Sequence, residues 1–211
     1  MTLKWIMPVL LLGMTMTLNA CISVLPKAGP DPDIFRLSDT ALPEHLASTP
    51  VVLLEMPIAP KALRNNRIAI AQGPQDIAYA AGARWAGMVP QMAQELLNDS
   101  LLATQRLNVV SPREGVHPPY GLTVEVRHFE AVYDQGTDAA PLGRVSLYAK
   151  IINRHGRTLI AQRLFSADVR ARENTLGAMA AAIDAAAHQA AAALSEWAAD
   201  QAGTAQKGRT Q

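Results

Sequence analysis

The chain holds one cysteine, carries no excess of charge of either sign and contains no apolar run long enough to span a membrane. Each shortage removes a class of protein. With Cys21 as the sole thiol no intrachain disulfide forms, so packing alone must hold the fold. His45, His117, His128, His155 and His188 show neither a His-x-x-x-His nor a His-Glu-x-x-His spacing, and no second cysteine completes a zinc set. The 19 basic residues stand against 18 acidic ones, without the basic stripe that a nucleic-acid binder uses, so nucleic acid is set aside as a partner. Also missing are a Gly-x-Ser-x-Gly elbow, a Gly-x-x-x-x-Gly-Lys-Ser/Thr phosphate loop and a Gly-x-Gly-x-x-Gly turn after a strand. The chain reads as a non-enzyme without a cofactor.

What is present begins at the N-terminus. Lys4 precedes an apolar segment from Trp5 to about Met14, broken by Pro8 and Gly13. It is roughly half the ~20 residues that a spanning helix needs and reads as the core of a signal peptide. The segment ends in Leu18-Asn19-Ala20-Cys21, apolar, polar, small, then cysteine. This resembles the bacterial lipobox, which implies a diacylglyceryl group on the Cys21 thiol and cleavage before it. Two or three acyl chains, at about 0.8 kcal/mol per buried methylene, hold a protein to a membrane essentially irreversibly. Ile22 and Ser23 follow, with no Asp beside the cysteine; in enterobacterial lipoproteins that absence is taken to permit export to the outer membrane.

The expected organisation is a signal peptide over residues 1–20, a lipidated N-terminus and tether over 21–33, a folded domain over 34–203 and a disordered tail over 204–211. Pro26, Pro30 and Pro32 keep the tether extended, with a reach of a few tens of Å at about 3.1 Å per residue. Loss of the first 20 residues subtracts only Lys4, leaving the basic side chains equal to the 18 acidic ones. Arginine outnumbers lysine 14 to 5, which suits planar bidentate partners and is equally what a GC-rich genome produces.

Within the domain, residues 51–56 and 67–71 are short apolar runs bounded by proline or glycine and read as strands. From Gly82 to about Thr104 the period changes: Trp85, Val89, Met92, Leu96, Leu97 and Leu101 fall on one face of an amphipathic helix. Pro90 interrupts it, so either the regular helix begins there or Trp85 to Val89 form a kinked leading turn. Residues 107–110 form a short strand. Leu122, Val124 and Val126 alternate strictly, and Phe129, Ala131 and Tyr133 continue in the opposite phase, which predicts a β-bulge near His128. Residues 145–151 and 158–169 form a hairpin about Asn153-Arg154-His155-Gly156. Its polar positions, Lys150, Gln162 and Arg163 among them, imply a face that is wet or meets a partner. A long alanine-rich helix, capped by Asn174 or Thr175 and ending near Gly203, closes the domain. The fold class expected is α/β: one domain with a mixed sheet, a C-terminal antiparallel meander and two long helices packed on it.

Several pieces in this order resemble the ABC-type transport auxiliary lipoproteins of the PqiC or YmbA type. They are Phe35-Arg36-Leu37, the strand and proline over residues 51–60, Leu63 with Arg67-Ile68, Tyr79 followed by Arg84-Trp85, and Phe129-Glu130. Arg64-Asn65-Asn66 departs from that family's usual turn, and the strand at Val145 is poor in aromatics. The resemblance implies a periplasmic domain lipidated into the outer membrane. It also implies partnership with a mammalian-cell-entry (MCE) type tunnel or substrate-binding protein and its ABC transporter, moving lipids between membranes. A homo-oligomer, a ring in the best-known members, is implied too. The alternative is an adaptor lipoprotein in another envelope assembly, such as lipopolysaccharide or secretion machinery.

Arg84, Trp85, Phe129 and Glu130 are the candidate structural or docking residues. In the structural reading Trp85 is a core aromatic and Arg84 opens a helix and pairs with a carboxylate such as Asp76; in the functional one the two contact a partner or a lipid headgroup. His128 is read as a solvent-facing strand residue at the bulge or as a proton-responsive site. Glu125 and Glu130, five apart on a strand, point to opposite faces unless the bulge realigns them.

Overall fold

The computed structural model describes residues 30–43, 49–73 and 75–207. The expected signal peptide, the lipobox with Cys21 and residues 21–29 of the expected tether lie outside the described residues.

Strand β6 (Tyr120–Val132) organises the sheet. Along one side β7 (Leu142–Asn153) runs antiparallel for its whole length, and β8 (Thr158–Arg170) runs antiparallel to β7. On the other side two strands share β6 end to end. β2 (Val51–Leu54) lies parallel to its beginning, with Val52 opposite Tyr120, and β3 (Arg67–Ala71) lies parallel to its end, with Ile70 opposite Ala131. Between them Ile58 keeps the chain on the same edge: its amide donates to the Val124 carbonyl at 2.9 Å, and its carbonyl accepts from the Val126 amide at 2.8 Å. β5 (Asn108–Val110) runs parallel to β2, while β4 (Ile77–Trp85) runs antiparallel to β3 and takes β1 (Asp33–Phe35) in parallel. The result is an eight-stranded mixed sheet, the α/β class expected, with the expected meander at β6–β8.

Side-chain alternation decides which face is buried. Leu122, Val124 and Val126 point inward, and so do Phe129 and Ala131, because the register slips between Val126 and His128. The bulge that the phase change predicts is therefore there. Helices α1 (Val89–Ala103) and α2 (Leu176–Lys207) join this inner face in the hydrophobic core. Thr175 caps α2, its Oγ1 accepting from the Ala178 amide at 3.3 Å. Asn174 is engaged elsewhere, accepting from the Tyr133 hydroxyl and donating to the Thr137 carbonyl, each at 2.8 Å. The alanines of α2 allow a close approach to β7. A Cβ added at Gly143 would overlap the Ala182 carbonyl and the Ile183 amide nitrogen, so this position accepts only glycine without a shift of the helix.

The helix expected from Gly82 starts later. Residues 77–85 are strand β4, and α1 begins at Val89 with Pro90 in its first turn, where the missing N–H is tolerated. Gly82 adopts φ +74°, and the β3–β4 register is irregular between Arg67 and Ala69. That irregularity turns Ala80, Ala83 and Trp85 inward, and Trp85 falls in helical phase with Val89, Met92 and Leu96 of the helix that follows. The end of α2 is also corrected. The helix continues past Gly203 to Lys207, with Ala202 fully buried and the Thr204 hydroxyl donating to the Asp200 carbonyl at 2.9 Å. The first residues of the expected tail are therefore helical, and 208–211 lie outside the described residues.

Candidate functional site

The four motif residues separate into two pairs of opposite fate. On a strand, successive side chains point to opposite faces, so Trp85 is 1 % exposed while Arg84 is in water. The Trp85 indole packs edge-on against the Phe129 ring, with centroids 5.6 Å apart, which matches the structural reading. Arg84 does not open a helix, since it ends a strand, and the expected pairing with Asp76 is not formed among the described residues. It stands in register with Arg67, whose guanidinium lies 3.9 Å above the Tyr79 ring; the Tyr79 hydroxyl in turn donates to the Ala62 carbonyl at 2.9 Å. Phe129 is buried inward, and Glu130 points to the other face of the sheet.

That other face carries a ladder of ionic pairs across β6, β7 and β8. Glu125 accepts from Arg127 at 3.0 Å, and Glu130 Oε1 lies 2.9 Å from His128 Nδ1. The bulge thus brings both glutamates to one face, each beside its own base. Arg144, opposite Glu130, forks onto Asp168 at 2.9 and 2.8 Å. Arg170 forks onto Asp134 at 2.6 and 2.7 Å and also donates to the Ala140 carbonyl. Hydrogen bonds from the two guanidinium groups hold Asp168 and Asp134 below the usual carboxylate range and raise their own protonated range. Further along, Tyr148 lies between Arg127 and Lys150, both within 5.3 Å of its ring centre. Leu164 is 53 % exposed beside it on β8.

A groove of about 630 Å³ opens where this face meets the loop after β2. Leu63, Ile77 and Val132 give it an apolar side, and Arg127, His128, Glu130 and Arg144 a polar one. Burial raises the Tyr133 phenol, also on its wall, above its ordinary range. The arrangement suits docking: planar forks, an aromatic flanked by cations and an apolar cleft, with Asp168 and Asp134 already matched to guanidinium groups. Lys150 and Gln162 face each other here, as the polar pattern of the hairpin predicts, whereas Arg163 is in register with Ala149 on the opposite face and lies over the Phe165 ring.

Sequence reasoning missed Arg144, Asp168, Asp134, Arg170 and Tyr148. The available signal falls one residue short. The turn at Asn153 is closed by its Oδ1 accepting the His155 and Gly156 amides at 3.1 Å, but counting back from it sets Arg144 opposite Ala167; a one-residue register shift between Ile151 and Ile152 is what brings Arg144 opposite Asp168.

The fold and this face define a class: a mixed-sheet α/β domain that presents a polar platform. The chain belongs to the ABC-type transport auxiliary lipoprotein component family, whose model matches residues 36–195. It is a membrane-associated lipoprotein component that serves an ABC transporter. Among solved structures, protein XCC0632 from Xanthomonas campestris is similar in fold, with a TM-score of 0.72 at 20% identity over 82% of this chain and 99% of that one. An uncharacterized protein follows with a TM-score of 0.64 at 15% identity, covering 79% of this chain and 97% of its own. No curated protein matches the chain in sequence.

Proposed function

We propose that the protein is lipidated on Cys21 and anchored by that lipid to the periplasmic side of the outer membrane. There it acts without catalysis, as the auxiliary component of an MCE-type intermembrane lipid transport system. Its partners are the tunnel or substrate-binding protein and the ABC transporter that drives it, and it works as a homo-oligomer. The observation that carries this reading is the match of residues 36–195 to the transport auxiliary lipoprotein family. The lipobox and the absence of Asp after Cys21 support the site of lipidation and the outer-membrane destination.

Replacing Cys21 with serine separates the anchor from the domain. The unaltered protein incorporates labelled palmitate and fractionates with outer membranes on a density gradient; Cys21→Ser takes up no label and leaves that fraction. Label-free retention of the wild type in the inner membrane overturns the anchor and its destination. For the partner, chemical cross-linking in cells with identification by mass spectrometry is expected to recover the transporter and its tunnel protein. Recovery only of secretion or lipopolysaccharide-assembly proteins sinks the lipid-transport reading.

A further inference from the structure

Arg84 has basic neighbours on the face of the sheet away from the helices. Ile34 of β1, Arg84 of β4 and Arg67 of β3 stand in one row across the strands. The turn Lys61–Leu63 and Arg64 after it fold over this part of the face: the Ala62 carbonyl accepts from the Tyr79 hydroxyl, and Tyr79 carries the Arg67 guanidinium on its ring. Lys61, Arg64, Arg67 and Arg84 are all exposed, and none forms an ion pair among the described residues. Arg106, Arg127, Arg144 and Arg170, by contrast, each have a carboxylate, and Arg36 is spent on Asp39.

Like charges directly opposite one another on neighbouring strands destabilise a sheet. The fold accepts that cost at Arg67 and Arg84 without a carboxylate to relieve it. Asp33, next to Ile34 on β1, points to the opposite face, and Asp76 stands before the far end of β4. Two large apolar side chains accompany the cations. Ile34 is 69 % exposed beside Arg84, and Met88 is 47 % exposed on the loop whose next amide, that of Val89, donates to the Asn65 carbonyl at 3.2 Å. Cations interleaved with exposed aliphatic side chains match the boundary between phosphate headgroups and acyl chains.

We propose that Lys61, Arg64, Arg67 and Arg84 dock the domain on a membrane surface containing anionic phospholipid, with the guanidinium groups on phosphates and Ile34 and Met88 entering the headgroup layer. Two observations identify the occupant. Four cations without a paired carboxylate call for an array of anions, and each Lys or Arg held at an anionic membrane strengthens binding about fivefold. The second observation is where the chain comes from. β1, the strand that carries Ile34, begins twelve residues after Cys21, and at about 3.5 Å per residue that length caps its distance from Cys21 at roughly 40 Å. The inference rests on the Cys21 anchor for bringing the patch to the bilayer, and on the patch alone for holding it there. Anchor and patch together fix the orientation of the domain, which a tether by itself leaves free.

Site-directed fluorescence on the full chain tests it. Cys21→Ser removes the sole thiol, so Ile34→Cys, or Gln162→Cys on the meander in a parallel protein, takes one environment-sensitive label. Vesicles of phosphatidylethanolamine with phosphatidylglycerol, at millimolar lipid, are expected to brighten the label at residue 34 severalfold, and vesicles of phosphatidylcholine alone to leave it dim; the label at residue 162 stays dim on both. Molar salt reverses the effect. Combining Arg67→Gln with Arg84→Gln lowers the affinity read at residue 34 about tenfold or more without lowering the melting temperature, and Arg67→Lys with Arg84→Lys retains it. An equal response to both vesicles, a response at residue 162 as large as at residue 34, or one that survives neutralisation overturns the proposal. So does a response to polyglutamate and not to the vesicles, which assigns the patch to an acidic protein. Because the labelled chain has no thiol to acylate, the outcome is separate from the anchor's: a failed patch in a protein that incorporates palmitate leaves the anchor standing, and a patch that binds in a protein that takes up no palmitate stands without the anchor.

Discussion

Alanine at Gly143 tests the approach of α2 to the sheet. Gly143 lies on β7 between Ala131 of β6 and Val169 of β8, and its added Cβ would overlap main-chain atoms of Ala182 and Ile183. Non-bonded heavy atoms settle at about 3.5–4.0 Å, so the helix must retreat by on the order of 1 Å. That retreat opens a gap between Ile183, Ala186, Ala187 and Ala190 on one side and Val145 and Leu147 on the other, all members of one core. A radial gap of about 0.5–1 Å already forfeits roughly a quarter to a half of each contact. Overpacking of this kind costs about 1–3 kcal/mol, and the upper end is expected because a backbone has no rotamer through which to yield. Gly143 is not among the positive-φ glycines, so alanine meets no dihedral penalty there, and its effect on the unfolded chain favours the variant by about 0.4–1 kcal/mol. Any measured loss is net of that gain. With a urea m-value of about 2 kcal/mol/M, a cost of about 3 kcal/mol less that gain leaves about 2–2.6 kcal/mol and lowers the unfolding midpoint by about 1–1.3 M. Adding Ala182→Gly should not restore it, since the overlapped atoms belong to the main chain. A midpoint shift equivalent to under about 0.5 kcal/mol, or rescue by Ala182→Gly, refutes the reasoning.

Two further outcomes follow from the same geometry. Trp85→Ala should cost about 3–5 kcal/mol, whereas Trp85→Phe should cost less than half of that, because the indole nitrogen is buried without a partner among the described residues and gives up no hydrogen bond; equal losses in urea unfolding would show that the nitrogen is bonded after all. Asp168 is held below its ordinary range in the folded state, first by the hydrogen bond from Arg144, so its contribution is present above about pH 4 and lost as pH falls through the lower folded value. Its side chain is 41% exposed, which screens the pair to under about 1 kcal/mol. Asp168→Asn should therefore flatten the acid limb of stability slightly, and superimposable pH profiles for the two proteins would refute the pairing.

Legibility followed the range of the interaction. The bulge at His128 and the hairpin at Asn153 were readable because alternation and turn chemistry are local. Strand β4 was hidden because Gly82 breaks the strand's period and its last residue, Trp85, falls in phase with Val89, Met92 and Leu96 of the helix that follows. The sharing of one β6 edge by β2 and β3 has no local signature at all: it depends on where residues 55–66 return to the sheet. Motif adjacency misled for a related reason. Arg84-Trp85 and Phe129-Glu130 each read as a unit, structural or docking, yet each is split by the pleat, with one member in the core and the other on a face. The two forked pairs of the ladder join residues 24 and 36 positions apart, so only the registers of the meander could have assembled them.

The two exposed polar surfaces differ in what a partner would gain from them. On the meander, Arg144 with Asp168 and Arg170 with Asp134 already satisfy one another through paired hydrogen bonds. Covering them strips water from charges whose best partners are in place, and desolvation then offsets most of the new contact energy. Such a face suits wet, weakly held contacts around the exposed Leu164 and the Tyr148 ring. On α1 the carboxylates of Glu95 and Asp99 have no cation among the described residues, and Gln91 Oε1 and Thr40 Oγ1 have no donor. Solvated carboxylates of that kind keep their water until a matched cation arrives, whereas the forked pairs of the meander make that face one along which a contact can form and release.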